Sequence, residues 1–324
     1  MFLNEFICIF TKKIECLKEN MNIDKSLNIR KKELLNYFRN RGEEFLSEIK
    51  LNYGNTQFKE QASAINKSLI ETRDNLIAAL LQRAETESWT NKEKLECILM
   101  ITYTNYIVML EARNDVWTYE YMTFSRRIGE LWEPFCKLCF SYPINNLSLF
   151  IPPLFSDVKQ KLSIEIELYI DKLKINADEK KQLKKYYNKV WGLVTSGEIK
   201  LELDLHFISN NQKFVVDFKS GFGSNEKGNT NRLLLVASIY QNLEDNYKCL
   251  IFVRASDNNH YFQTLKNSGI WDAYSGNEAY DKMKEYSGFD IKNWIDANIN
   301  WENDFKAETI QYLNDNNLTQ YLIW

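Results

Sequence analysis

Two carboxylates and an ammonium group lie within one short part of the sequence, residues 197–232. Asp204 falls inside an apolar run, and Asp217 and Lys219 close a second one, where burial of an unpaired charge is costly. Two carboxylates that are held together repel each other unless a cation lies between them, and hard oxygen ligands of this kind suit Mg²⁺. A lysine beside such an ion can orient or help to deprotonate a water molecule. This is the chemistry of metal-assisted phosphodiester hydrolysis.

A β-hairpin is the element that would bring these three side chains together. Residues 200–208 and 213–218 alternate or cluster apolar residues as half-buried strands do, and the Ser-Asn-Asn-Gln segment between them favours a turn. Side chains two apart on a strand project from the same face, so Asp217 and Lys219 are neighbours on the second strand. Asp204 is expected in the middle of the first strand, from which the hairpin brings it beside them.

The spacing of these residues resembles a known motif. Asp204, twelve residues, and then Asp217-Phe218-Lys219 are similar to the PD-(D/E)XK nuclease superfamily, whose motif is an acidic residue, a hairpin, and then Asp or Glu, any residue and Lys. Leu203 stands where the name of the motif has Pro. The spacing alone is a weak signal, because D-x(n)-D-x-K is short.

A second segment strengthens the resemblance. Residues 124–133, FSRRIGELWE, look like the R-x-G-x-x-x-E helix that many type II restriction endonucleases place before the hairpin. By this match Glu133 is a further acidic residue of the site. Glu130, one turn earlier on the same helix face, is the alternative. The resemblance covers about residues 120–255.

The resemblance implies an activity and a set of roles. The chain is expected to be a Mg²⁺-dependent type II restriction endonuclease that cuts double-stranded DNA at a short specific sequence and leaves 5′-phosphates. Asp204 and Asp217 would bind the metal, joined by Glu133, and Lys219 would position and activate the attacking water. A homodimer is expected, because a two-fold symmetric protein matches a palindromic site.

The segment after Lys219 is the expected DNA contact. Residues 220–232 contain three glycines and small polar residues, which predicts a flexible loop that approaches a sugar-phosphate backbone, followed by a helix over residues 233–243. The segment also nearly matches a phosphate-binding P-loop, but Asn229 stands where the lysine of that motif belongs. The expected DNA-binding residues are Ser220, Asn225, Lys227, Asn229 and Arg232.

Apolar periodicity predicts the elements around the hairpin. Residues 1–115 are patterned as helices, and an aromatic stripe that includes Tyr103 and Tyr106 indicates a buried helix. Pro134 is expected to kink or divide the helix that carries Glu133. The other predicted elements are a helix at 114–140, a loop at 143–153, helices at 156–173 and 179–194, a buried strand at 247–254, and helices from 262 onward.

Together these elements predict an α/β fold. It is a mixed central β-sheet flanked by helices, of the restriction-endonuclease-like kind, with a large helical N-terminal region. The predicted regions are a helical region at 1–115, a nuclease core at 116–260 with a helical insertion at about 143–196, and a mainly helical extension at 261–324. The second helix of the insertion has a lysine-rich face, which is either a solvated surface or a phosphate contact.

Composition limits the cell compartment and the mode of binding. Lys and Arg number 41 against 44 Asp and Glu, so any DNA binding must use a local basic groove. Six scattered cysteines indicate reduced thiols, and the Cys136-x-x-Cys139 pair is expected to pack in a helix core rather than to hold zinc. Residues 1–13 lack the pattern of a signal peptide, and a cytoplasmic protein with no membrane segment is expected.

Two other functions stay open at this point. One is a different defence or repair nuclease on the same core, acting on DNA or RNA. The other is a non-catalytic nucleic-acid-binding protein in which the charges of the hairpin form structural ion pairs.

Overall fold

The computed structural model describes residues 21–54, 56–194, 199–223, 226–243 and 246–324. Two compact units divide the chain, one formed by Met1–Asn146 with Gly276–Trp324 and the other by Leu147–Ser275. The predicted boundaries, after residues 115 and 260, differ from this division, because the helix that carries Glu133 groups with the helices before it. The segment considered as a signal peptide lies outside the described residues.

Helices predominate in the described residues, and the strands fall in the second unit. In chain order the elements are a 3₁₀ turn (Lys25–Ile29), α1 (Lys31–Tyr53), α2 (Phe58–Thr86), α3 (Asn91–Val116), α4 (Tyr121–Ser141), β1 (Leu147–Leu149), α5 (Phe155–Lys172), α6 (Ala177–Val194), β2 (Leu205–Ser209), β3 (Gln212–Lys219), α7 (Lys227–Gln241), β4 (Tyr247–Val253), α8 (His260–Asn267), β5 (Trp271–Ser275), α9 (Asn277–Ser287), α10 (Ile291–Asn298), α11 (Trp301–Asp304), α12 (Ala307–Asp315) and a 3₁₀ turn (Thr319–Tyr321).

Helix α3 forms the centre of the first unit. A capping box between Thr90 and Glu93 begins it, and the predicted aromatic stripe of Tyr103 and Tyr106 is buried. Among the described helices, α3 is also the one that is long and apolar enough to cross a membrane, and 94% of its most apolar window is buried inside the structure. Burial on all sides is what the core helix of a helical bundle shows.

The second unit contains a five-stranded mixed sheet flanked by helices, so the coarse α/β prediction is confirmed. The described strands lie in the order β1-β2-β3-β4-β5, and β3 is the central strand. β1, β2 and β3 pair antiparallel, whereas β3, β4 and β5 pair parallel. α7 and α8 connect the parallel strands and bury one face of the sheet through Leu233, Val236, Tyr240, Phe262 and Leu265.

The predicted hairpin is confirmed, and its turn is tighter than expected. Ser209 pairs with Gln212, so the loop consists of Asn210 and Asn211 alone, with φ angles of 50° and 61°. Positive φ at both positions is typical of the type I′ turn that joins two twisted strands, and asparagine tolerates this conformation better than most residues.

Asp204 is one correction to the hairpin. The strand begins at Leu205, so Asp204 precedes it and does not lie in its middle. The residues before it leave the sheet because side chains satisfy their backbone groups. Tyr240 Oη donates to Leu201 O at 2.7 Å, and Leu203 N donates to His206 Nε2 at 3.3 Å.

Three predicted helix and loop assignments are wrong in part. α4 begins at Tyr121 rather than near 114, after a break in which Glu120 N donates to Thr123 Oγ1. The helix continues past Pro134 because its C-terminal half is buried. The predicted loop at 143–153 contains the short strand β1, which pairs with β2. α7 begins at Lys227 rather than 233, so part of the predicted DNA-binding loop is helical.

The C-terminal part of the chain holds a strand that the pattern missed. β5, with the sequence WDAYS, lies within a stretch predicted as helical, and it is a strand because it pairs along the edge of β4.

The Cys136-x-x-Cys139 prediction is confirmed as helix packing, since both thiols are buried and Cys139 Sγ donates to Cys136 O at 2.9 Å. Burial raises the pKa of the Cys139 thiol to about 12.

Candidate active site

Asp217 is the most buried charged group of the candidate site. It lies near the carboxyl end of β3, on the sheet face that α7 covers, and only 1% of the residue is exposed. Burial raises the pKa of its carboxyl group to about 6, against the lowering effect of Lys219 and with a further raising effect of Asp204. Ionisation of the Asp217 carboxyl group is therefore less favourable in the folded protein than in water.

Lys219 lies beside Asp217, as the strand alternation predicted. Its Nζ is 2.5 Å from Asp217 Oδ2, and the same ammonium group donates to Phe218 O at 3.1 Å. The Lys219 side chain is partly exposed, so its ammonium group lies between the buried Asp217 carboxylate and the solvent. An ion pair with one buried member is only weakly screened by solvent.

Asp204 joins the site through the backbone of β3. β2 begins opposite Val216, which leaves the next amide on that edge of β3, that of Phe218, without a partner from β2. Asp204 Oδ2 accepts this N–H at 2.7 Å. Because Asp204 also raises the pKa of Asp217, the two carboxylates are close enough to repel each other. The structure thus brings together Asp204, Asp217 and Lys219, as predicted.

Arg232 contacts the candidate site in a way that the sequence did not predict. Its Nη2 lies 3.5 Å from Asp217 Oδ1, while Asn229 Oδ1 accepts from the same guanidinium at 3.3 Å. Asn229 Nδ2 in turn donates to Glu226 Oε2 at 2.9 Å. These residues follow one another at three-residue spacing along the first turns of α7, on one helix face. Because the pattern was read as a loop, neither this face nor Glu226 could be foreseen.

The loop after β3 is hydrogen-bonded to the loop after β4 and packs closely against it. Phe222 N donates to Asn258 Oδ1 at 2.9 Å, and a Cβ at Gly221 would lie only 3.2 Å from Ala255 Cβ, so glycine permits the close approach. Asn258 had no recognisable sequence signal.

Of the other predicted DNA-binding residues, Ser220 and Lys227 are exposed, whereas Asn225 lies outside the described residues.

The two candidate glutamates are on α4, which belongs to the first unit. Glu133 Oε1 is 3.2 Å from Lys137 Nζ, and Glu130 pairs with Arg126 at 3.2 Å and with Arg127 at 3.5 Å. These are pairs between neighbouring turns of one helix, and such exposed pairs stabilise a helix only slightly. The role of Glu133 in the site stays a prediction.

Among the described residues, the carboxylates of the candidate site number two, those of Asp204 and Asp217. Within the described part of the chain, no group of three or more His, Cys, Asp or Glu side chains that could hold a metal ion is found. Mg²⁺ needs only one or two carboxylates, since it keeps several waters and takes further oxygens from a phosphate. Asp217 Oδ2 is buried and receives no hydrogen bond of good geometry from the described residues, although Lys219 Nζ lies close to it. The cation beside this oxygen in the structure is the Lys219 ammonium group.

Comparisons of the chain with protein-family models, with curated proteins and with solved structures found no match. Support for a function therefore comes from the motif spacing and from the geometry of Asp204, Asp217, Lys219 and Arg232.

Proposed function

We propose that the chain is a Mg²⁺-dependent endonuclease of the PD-(D/E)XK kind that hydrolyses phosphodiester bonds of double-stranded DNA. More narrowly, we propose a type II restriction endonuclease that leaves 5′-phosphates and acts as a cytoplasmic homodimer. The observation that carries this proposal is the convergence of Asp204, Asp217 and Lys219 at the carboxyl end of β3. Burial of two mutually repelling carboxylates is costly, and charged groups with strongly shifted pKa values cluster at functional sites.

The fold around the site supports the same proposal. The hairpin is followed by the β3-α7-β4 crossover, which gives a mixed sheet with the candidate residues at the end of its central strand. Ligands of open α/β sheets bind outside the carboxyl ends of parallel strands. We therefore propose a restriction-endonuclease-like core for the unit Leu147–Ser275.

The side chains have separate roles in the proposed reaction. Asp204 and Asp217 hold Mg²⁺, which when bound supplies Lewis-acid stabilisation of charge on the phosphate and on the leaving oxygen. Lys219 donates a hydrogen bond to the attacking water and orients it toward phosphorus. Arg232 is about half exposed and touches Asp217, so its guanidinium can bind a phosphate oxygen beside the metal ligands. Ser220, Lys227 and Asn229 supply further donors for the DNA backbone or bases.

Substrate class and specificity are tested by the products of digestion. Purified protein is incubated in Mg²⁺ with a long unmethylated duplex, with single-stranded DNA and with RNA, and the fragments are sized and end-sequenced. Discrete fragments from the duplex alone, all ending at one sequence, are the expected result. A smear from the duplex would contradict the restriction-enzyme assignment, and faster loss of RNA or single strands would point to a different nuclease on the same core.

Replacing Arg232 by alanine should strengthen metal binding and slow cleavage. The guanidinium competes with a metal for Asp217 Oδ1, and because it is about half exposed its removal should raise Mn²⁺ affinity by up to about fivefold. Isothermal titration with Mn²⁺, without DNA, measures this effect. Arg83→Ala is the matched control, because Arg83 is a similarly exposed arginine that pairs with Glu87 at the end of α2 in the other unit. Unchanged Mn²⁺ affinity in Arg232→Ala would contradict a competing contact.

A second candidate function is a non-catalytic nucleic-acid-binding protein. The observation in its favour is that Asp217 already has two cationic partners, Lys219 and Arg232, as in a structural ion-pair network. Breaking a buried ion pair is strongly destabilising. Under this alternative Asp204→Ala would lower stability and leave Mn²⁺ binding as weak as in the wild type, whereas the nuclease proposal requires a loss of Mn²⁺ affinity.

A further inference from the structure

A two-helix arm interrupts the sheet between β1 and β2. α5 and α6 are antiparallel, with Ser163 Oγ 3.3 Å from Tyr187 Oη and Lys184 Nζ 2.9 Å from Asp171 Oδ2. Each helix has 18 residues and is therefore about 27 Å long. α5 buries only Ile170 fully, and it packs on the sheet core through its first turns, at Phe155 and Val158. The far part of the arm consequently presents most of its surface to solvent.

Three lysines form a stripe along α6. Lys181, Lys185 and Lys189 are exposed and follow one another at four-residue spacing, so they lie on one side of the helix about 6 Å apart along its axis. None of the three has an ion-pair or hydrogen-bond partner in the part of the chain that the structure describes. Their neighbours Lys180 and Lys184, by contrast, both bind Asp171 of α5.

The lysine stripe lies in a segment of α6 that has no acidic residue. Residues 180–194 contain five lysines and no Asp or Glu. Eight cations on other described helices pair with an acidic residue three or four positions away, which is the usual arrangement of a solvated face. Such pairs are Arg41–Glu44, Arg83–Glu87, Lys92–Glu96, Arg126–Glu130, Lys137–Glu133, Lys161–Glu165, Lys282–Glu285 and Lys292–Asp296.

We infer that the lysine stripe of α6 is a contact surface for the phosphate backbone of double-stranded DNA. This inference rests on the proposed function and names a surface that contributes to the affinity of the protein for DNA. The chain as a whole has a formal charge of −3, so attraction to a polyanion must come from a local cluster of unpaired cations. A row of lysines on a straight helix meets successive phosphates without reading bases, and so adds sequence-independent affinity.

The apolar side of α6 lies opposite the lysine stripe. Val190 lines an apolar groove together with Leu235 and Ile239 of α7. Leu183 and Tyr186 lie on that same side of α6, whereas the lysine stripe lies on another side. A helix that binds a membrane inserts its apolar face into the lipid. In α6, Val190 lines the groove with α7, but Leu183, Tyr186 and Val190 are all exposed, so the vesicle arm of the test below separates a DNA contact from a lipid contact.

The test is the salt dependence of DNA binding. A labelled duplex of mixed sequence is titrated with full-length protein in chelator at several NaCl concentrations. The wild type is compared with Lys181→Gln/Lys185→Gln/Lys189→Gln. Because each phosphate contact contributes about 0.9 to the slope of log K against log salt, the triple variant should lose about 2.7 of that slope and up to about 500-fold in affinity near 0.1 M salt. Lysine and glutamine have similar helix propensity, so the arm should stay folded, and circular dichroism checks this.

A matched control removes the same charge elsewhere. Lys32, Lys59 and Lys67 are exposed lysines of α1 and α2, and their triple Gln variant should keep the wild-type slope. A wild-type slope in the α6 variant, or equal losses in both variants, overturns the inference. Binding of anionic vesicles but not of duplex with the same lysine dependence also overturns it.

The two proposals fail separately. A protein that binds duplex through the stripe but does not cleave it in Mg²⁺ retains the contact surface and loses the proposed activity. A protein that cleaves, with a slope indifferent to the stripe, retains the activity and loses the contact surface.

Discussion

Lys219→Ala should lower the rate of DNA cleavage by about 10²- to 10⁴-fold, the range for loss of a group that positions or activates a proton-transferring water. Lys219 Nζ lies 2.5 Å from Asp217 Oδ2, so alanine removes the donor beside the proposed metal ligands and leaves the backbone of β3 unchanged. Single-turnover cleavage of a duplex at saturating protein measures the effect without a contribution from product release.

A matched control for this variant lies on the same strand. Lys213 projects from the same face of β3 at its other end, where it lies over the Tyr247 ring. Lys213→Ala should cleave about as fast as the wild type, and both variants should melt cooperatively. Equal losses in the two variants, or an unaffected rate in Lys219→Ala, would remove Lys219 from the proposed reaction.

Asp217→Asn should become progressively more stable than the wild type as the pH rises, when no metal is present. Burial raises the pKa of the Asp217 carboxyl group to about 6 from an ordinary value of 3.8. A raised pKa in the folded state gives stability that is present below the unfolded pKa and is lost as the pH rises through about 6. Asparagine does not titrate, so the difference in free energy of unfolding should grow by up to about 3 kcal/mol between about pH 4 and pH 7.

Denaturant unfolding in chelator, at several pH values, measures this difference. Asp272→Asn is the matched control, because Asp272 is an exposed aspartate on the nearby strand β5. Addition of Mn²⁺ near neutral pH should stabilise the wild type and leave Asp217→Asn unchanged, since a ligand that binds the folded state alone stabilises it. A large loss of stability in Asp217→Asn at every pH would instead support a structural role for the Lys219–Asp217–Arg232 ion pairs.

The hairpin was predictable because its signals are local. Alternating apolar residues, two adjacent asparagines and the two-residue spacing of Asp217 and Lys219 are each sufficient to place neighbours on a strand or in a turn. Asp204 was expected in the middle of a strand that begins at residue 200, but the strand begins at Leu205, since the pattern cannot show that Tyr240 and His206 satisfy the backbone before β2.

Features that depend on tertiary contacts were missed. The first turn of α7 contains glycine and asparagine, which favour a loop, but Arg232 and Asn229 are held there by contacts with Asp217 and Glu226. β5 is short and carries a charge, and its strand conformation comes from pairing with β4. The Arg232–Asp217 contact and the pairing of β5 with β4 join separate elements of the chain, so local propensity does not reveal them.

Metal-dependent cleavage of double-stranded DNA tests the central claim most directly. Wild-type protein, Asp217→Asn and wild type in chelator are incubated with a long unmethylated duplex in Mg²⁺, and the fragments and their ends are analysed. The proposed function predicts 5′-phosphate fragments with the wild type alone. Intact DNA in all three reactions, with duplex binding retained and indifferent to Asp217, would contradict the nuclease and favour a nucleic-acid-binding protein. Equal cleavage in all three would show that the carboxylates and Mg²⁺ do not carry the reaction.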